Sequence, residues 1–163
     1  MLPGIDEKLV VRNVEPTPMR RELFSRDFTV NTLLQPMDLS KEPLDLTGQA
    51  VRDLGEKVLR TPVDAELTIG HDARRILRAL KMSIQFGFAI DKELGEAMLK
   101  YRGAVGALPS GHVRRQVNQM FRLNAKKAIE LLSEYKLLPV VPLSKLMAME
   151  FARHRMVQHL LDS

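Results

Sequence analysis

Residues 71–101 read HDARRILRALKMSIQFGFAIDKELGEAMLKY, and the spacing of their apolar side chains decides the fold class. Ile76, Leu77, Leu80 and Ile84 stand at i, i+1, i+4 and i+8, the stripe by which an α-helix faces a core. The pattern predicts a helix from His71 to Phe86, stopped at Gly87, the residue type best suited to the left-handed turn after a helix. Asp91 is placed to cap a second helix reaching Tyr101, with Leu94, Met98 and Leu99 inward.

Helical spacing continues toward the C-terminus. Ser110 opens a predicted helix to about Leu123, with Val113, Val117, Met120 and Phe121 on one side. Another runs from Ala125 to Tyr135, with Ala128, Ile129, Leu131 and Leu132 apolar. After the proline-punctuated turn at residues 138–142, a last helix is expected from Ser144 to about Leu161.

Upstream, Gln49 to Lys57 and Thr61 to Leu67 read as short helices, the second with Thr61 as cap and Pro62 in first position. The first third has a different character. Residues Lys8 to Val14, KLVVRNV, are expected to form a strand closed by Glu15-Pro16-Thr17-Pro18. Glu42 to Leu46 is a second candidate strand, and Asp27 is placed to cap a short helix within Arg26–Leu34. The expected class is therefore mostly α, a multi-helix bundle with a small β-containing N-terminal piece.

The 163 residues include 25 Lys and Arg against 20 Asp and Glu, a net charge of +5, which suits an anionic partner. Cysteine is absent, so disulfides, thiolate metal sites and a cysteine nucleophile are excluded. No stretch is long and apolar enough for a membrane span, and the start, MLPGIDEK, has no secretory leader pattern. A reducing, cytoplasmic setting and no membrane partner are expected. With no Trp, two Tyr and six Phe, contact with nucleic acid is expected to be mainly electrostatic.

Three stretches carry chemistry. On a continuous helix, His71, Arg75 and Arg78 share a stripe bordered by Asp72. A carboxylate beside guanidiniums presents both acceptors and donors, enough to hydrogen-bond a base edge while a further Arg holds phosphate. Asp72 and Arg75 are equally a plain i,i+3 ion pair. Ser25-Arg26-Asp27-Phe28-Thr29-Val30-Asn31 gathers a charge pair, a hydroxyl and an amide, fit for a ribose-phosphate pocket or for simple capping. Asp45, Gly48, Asp53 and Arg60 read by themselves as turn and cap chemistry. A His-Asp metal phosphohydrolase is rejected, because His112, His154 and His159 all lie downstream of His71-Asp72.

Together these stretches resemble the class II nucleotidyltransferases: tRNA nucleotidyltransferases (CCA-adding enzymes) and bacterial poly(A) polymerases. Ser25–Leu33 resembles that family's Arg-Arg-Asp-Phe-Thr element. Asp45, Gly48, Asp53-Leu54 and Leu59-Arg60 echo its hinge, and His71–Ala79 its Glu-Asp-x-x-Arg-x-x-Arg-Ala helix. Leu108–Arg114 and Ala128–Pro139 extend the likeness, which covers roughly residues 22–143. It divides the chain into a C-terminal remnant of the head (1–47), neck-like helices (48–104) and body-like helices (105–163).

The resemblance implies that Asp72 and Arg75 read the Watson–Crick edge of an incoming CTP or ATP. It also implies that Arg78 lies toward the triphosphate, and Arg26, Asp27 and Asn31 toward the sugar and pocket wall. The parent reaction is attack of an RNA 3′-hydroxyl on an α-phosphate assisted by Mg²⁺. The pair of Asp residues that binds this metal in the family, and the glycine-rich phosphate loop before it, have no counterpart upstream of Arg26. The chain alone is expected to hold no metal and to be inactive. Lys100, Arg102, Arg114, Arg115, Arg122, Lys126 and Lys127 fall in a stretch without acidic residues and are the candidate surface for RNA, tRNA in particular. Two functions follow: part of a template-independent RNA nucleotidyltransferase whose activity needs the head domain, or a noncatalytic RNA- or nucleotide-binding module derived from that family.

Overall fold

The computed structural model describes residues 1–141. At its centre is helix α5 (Arg74–Phe86), which buries Ile76, Leu77, Ala79, Leu80 and Ser83. It ends at Gly87, whose φ of 70° continues the chain in the left-handed region and whose N–H donates to the Ser83 carbonyl at 3.0 Å, as a helix C-cap requires. Ahead of it come α1 (Ile5–Val11), α2 (Pro18–Phe24), α3 (Ala50–Glu56) and α4 (Ala65–His71). Behind it come α6 (Lys92–Tyr101) and α7 (Ser110–Glu134).

Two residues either side of α4–α5 pair in parallel: β1 (Val58–Leu59) sets Val58 beside Ala89 and Leu59 beside Ile90 in β2 (Ala89–Ile90). This small sheet delivers Asp91 to the start of α6, where its carboxylate accepts the Glu93 N–H at 3.2 Å, the cap expected from sequence. α5 packs chiefly on α7, and α4 on α6. Within α7 the backbone leaves helical values at Asn124 (φ −163°, ψ 101°). The Asn124 side chain accepts from Lys127 N–H at 3.0 Å, so it caps the second half, and the two helices expected on either side of it are both present.

The class is mostly helical with a small sheet, but the strands lie at 58–59 and 89–90 and not at the N-terminus. Lys8–Val14 is mainly helix: Leu2, Ile5 and Leu9 are buried while Val10 and Val11 are exposed, a helical period that the valine run disguised. Leu2, Ile5 and Leu9 join Phe24 and Val63 in a second, smaller core cluster. Glu42–Leu46 contributes a single antiparallel bridge, Leu34 to Leu44, and Arg26–Leu34 only a 3₁₀ turn at Thr29–Asn31. The expected Thr61-capped helix starts later, at Ala65, because Asp64 accepts the Leu67 N–H at 2.9 Å, while the Thr61 hydroxyl turns to the Val63 carbonyl at 2.6 Å. Ser144–Leu161, with His154 and His159, lies outside the described residues. Among the described residues no helix is long and apolar enough to cross a membrane.

Candidate functional site

The segment 25–31 is fastened at its middle. Phe28 is fully buried in the main core, the Thr29 N–H donates to the Arg60 carbonyl at 2.8 Å, and the Thr29 hydroxyl donates to Asp53 Oδ2 at 2.7 Å. Just before them Asp27 is buried, its Oδ1 accepting from Phe28 N–H at 3.0 Å and Asn31 Nδ2 at 2.8 Å. Arg78 Nη2 lies 2.7 Å from Asp27 Oδ2, as an ion pair without hydrogen-bond alignment. Arg26 Nε donates to Glu22 Oε1 at 3.0 Å, and its Nη1 to the Asn31 carbonyl.

Arg75, on α5, closes the arrangement. Its Nη2 donates to the Ser25 carbonyl at 2.8 Å and its Nη1 approaches the Arg26 carbonyl at 3.5 Å. Burial pushes its pKa below the ordinary arginine value, with Asp27 and Asp72 pulling the other way; a guanidinium remains protonated throughout. Arg26, Asp27, Asn31, Arg75 and Arg78 together line one cavity of about 420 Å³. Five of the six residues selected from sequence for nucleotide contact thus converge, across an ion pair and a set of carbonyl bonds.

Asp72, the sixth, is placed differently from expectation. The helix predicted from His71 is interrupted: Asp72 is extended (φ −148°, ψ 98°), His71 is the last residue of α4, and α5 starts only at Arg74. His71 therefore leaves the stripe of Arg75 and Arg78 and borders a separate cavity with Asp64, Gly70 and Tyr101. The i,i+3 ion pair with Arg75 is replaced by one with Arg74: Asp72 Oδ1 accepts from Arg74 N–H at 3.0 Å and from Arg74 Nε at 2.8 Å. Burial alone raises the Asp72 carboxyl, but the Arg74 hydrogen bonds and the charges of Arg74 and Arg75 hold it below the usual range. Its Oδ2 stays clear of these contacts.

Sequence reasoning missed the ionic support beneath the cavity. Asp53 is fully buried and accepts from Thr29 while Arg60 Nε and Arg52 Nη2 stand 3.5 and 3.4 Å away. Arg60 also reaches Asp91 at 3.2 Å, so one guanidinium ties α3, β1 and the start of α6. The available signal was that Asp53 falls three residues after Ala50, on the face that α3 buries. Asp45, by contrast, is the turn-and-cap residue expected: Oδ1 accepts from Thr47 and Gly48 N–H and Oδ2 from Val51 N–H.

The seven basic residues form two groups. Lys100 pairs with Glu66 at 2.5 Å and Arg102 donates to the Leu99 carbonyl, both at the end of α6. Arg114, Arg115, Arg122, Lys126 and Lys127 lie along α7 and are exposed; Lys127 pairs with Glu130 at 3.5 Å. Among the described residues no three His, Asp or Glu side chains come together as a metal site.

No protein-family model matches the chain. It is 34% identical over 129 residues to the CCA-adding enzyme of Oceanobacillus iheyensis, a match covering 78% of this chain and 31% of that protein. It is 30% identical over 131 residues to the tRNA nucleotidyltransferase cca2 of Schizosaccharomyces pombe, covering 78% of this chain and 27% of that one. The fold superposes with TM-score 0.65 and 25% identity on the Bacillus stearothermophilus CCA-adding enzyme crystallised in complex with CTP, over 79% of this chain and 32% of the other. The chain thus spans about a third of the length of the relatives it matches. Over that third it is a partial homologue of the class II CCA-adding tRNA nucleotidyltransferases.

Proposed function

We propose that this chain supplies the base-recognition and RNA-binding part of a template-independent RNA nucleotidyltransferase that adds CMP or AMP to RNA 3′ ends. The observation that carries the reading is the convergence of Arg26, Asp27, Asn31, Arg75 and Arg78 on one cavity, in a fold that also occurs in an enzyme crystallised with CTP.

The chemistry follows from hydrogen-bond direction. Cytosine and adenine both present an exocyclic amine beside a ring-nitrogen acceptor; uracil and guanine present the reverse. A carboxylate accepting from the amine and a guanidinium donating to the ring nitrogen therefore select the first pair, and the wrong base leaves both unmatched. Asp72 keeps Oδ2 for the amine while Oδ1 serves Arg74. Arg75 spends two donors on carbonyls and retains others for the ring. In this reading Arg78, half exposed and only singly paired, meets phosphate, and Arg26 and Asn31 lie toward the sugar. No metal step is assigned to these residues.

The test is calorimetric titration with CTP, ATP, UTP and GTP. CTP and ATP are expected to bind more tightly than UTP and GTP, and Asp72→Asn, whose amide adds a donor, is expected to erase that preference. Equal affinity for all four nucleotides, or none, refutes the reading.

A further inference from the structure

A second cavity, of about 360 Å³, opens between α5 and α7 and is lined by Lys81, Gln85, Gln119, Arg122 and Leu123. It lies in series with the first on one helix. Arg78 and Gln85 are a heptad apart and share a face of α5, separated by about 10 Å at ~1.5 Å rise per residue. A stacked polynucleotide strand, rising ~3.4 Å per nucleotide, covers that distance in about three steps.

Its chemistry differs from that of the first cavity. No carboxylate lines it. Among the described residues neither Lys81 nor Arg122 makes an ion pair, and Lys81 Nζ instead stands 3.4 Å from Gln119 Oε1. Two uncompensated cations suit phosphates, and two carboxamides, each both donor and acceptor, suit ribose and base edges. A lone small anion would use the cations and leave the amides idle.

We infer that the groove formed by Lys81 and Gln85 of α5 against Gln119 and Arg122 of α7 holds a single-stranded RNA segment leading to the cavity around Arg75. The direction of the strand rests on the function proposed above; binding of the strand does not.

The experiment measures binding of a fluorescein-labelled single-stranded oligoadenylate by anisotropy at several salt concentrations. Lys81→Glu with Arg122→Glu is expected to weaken binding at least about tenfold. The slope of log affinity on log salt is expected to fall by about 1.4, at ~0.7 per phosphate contact on a single strand. CTP affinity and the thermal unfolding midpoint are expected to stay unchanged. If the charge reversal prevents folding, Lys81→Gln with Arg122→Gln replaces it and is expected to weaken RNA binding severalfold. Unchanged RNA affinity in a folded variant, no binding of oligoadenylate by the parent chain at low salt, or equal competition by inorganic tripolyphosphate overturns the inference. A parent that binds oligoadenylate through Lys81 and Arg122 but does not bind CTP upholds this groove and refutes the nucleotide site alone.

Discussion

Arg75 reaches across fifty residues of chain to donate from Nη2 to the Ser25 carbonyl at 2.8 Å. One side chain of α5 thereby clasps the backbone just ahead of Asp27. The clasp helps to hold Asp27 and Asn31 from the N-terminal segment beside Arg78 from the helix. The hydrogen-bonding fork matters here: a planar guanidinium reaches two successive carbonyls and still presents further donors, which a point-like ammonium does not.

Arg75→Lys is therefore expected to weaken CTP binding about tenfold and to lower unfolding free energy by about 1–2 kcal/mol, the scale of one or two lost hydrogen bonds. Isothermal calorimetry and urea denaturation read the two effects separately. Retained CTP affinity in the lysine variant would show that the fork is dispensable.

Beneath the cavity, Asp53 is a buried carboxylate satisfied by the Thr29 hydroxyl and the guanidinium of Arg60. Asp53→Ala leaves the buried Thr29 hydroxyl without its acceptor and removes one of the two carboxylates on Arg60, which keeps Asp91, so it is expected to cost about 1–3 kcal/mol. Asp53→Asn, which keeps an acceptor for Thr29, is expected to cost less. A loss below about 1 kcal/mol for the alanine variant in urea denaturation contradicts this account, given that buried unpaired groups rank among the costliest lesions.

Acid sensitivity follows from Asp45 and Asp72. Burial raises each carboxyl, yet for Asp45 the N–H groups of Val51, Gly48 and Thr47 and the Thr47 hydroxyl, and for Asp72 the Arg74 contacts, leave the net value lowered. A carboxyl lowered on folding contributes stability above its unfolded value, about 3.9 for aspartate. That contribution is lost as pH falls through the lower folded value. Stability from these two groups is thus expected to be flat from pH 7 to about 5 and to decline below about 4. Asp45→Asn is expected to be less stable at neutral pH with a shallower acid decline; a urea midpoint curve parallel to that of the parent chain refutes the assignment.

Much of the fold was legible because its signals are local. The stripe of Ile76, Leu77, Leu80 and Ile84, the stop at Gly87, the Asp91 cap and the break between Leu123 and Ala125 each depend on neighbours within a turn or two, and each is present. The N-terminal helix was misread because Val10 and Val11 mimic a strand, whereas its buried set is Ile5 and Leu9. Asp72 was misplaced because nothing in His71-Asp72-Ala73 marks a helix break by propensity alone. At the break the Asp72 carboxylate, on an extended backbone, accepts the Arg74 N–H.

Periodicity and capping along the chain were enough to specify mostly helical architecture, while the side chains that gather around Arg75 were singled out by the resemblance of their motifs to a known family. Long-range packing alone settled that Arg78 answers to Asp27, that Asp53 is sealed beneath the 25–31 segment, and that Lys81 and Gln119 share a groove. Helix periods are short-range properties of the backbone, whereas the partner of a charge is chosen by whichever distant segment the core brings within hydrogen-bonding reach.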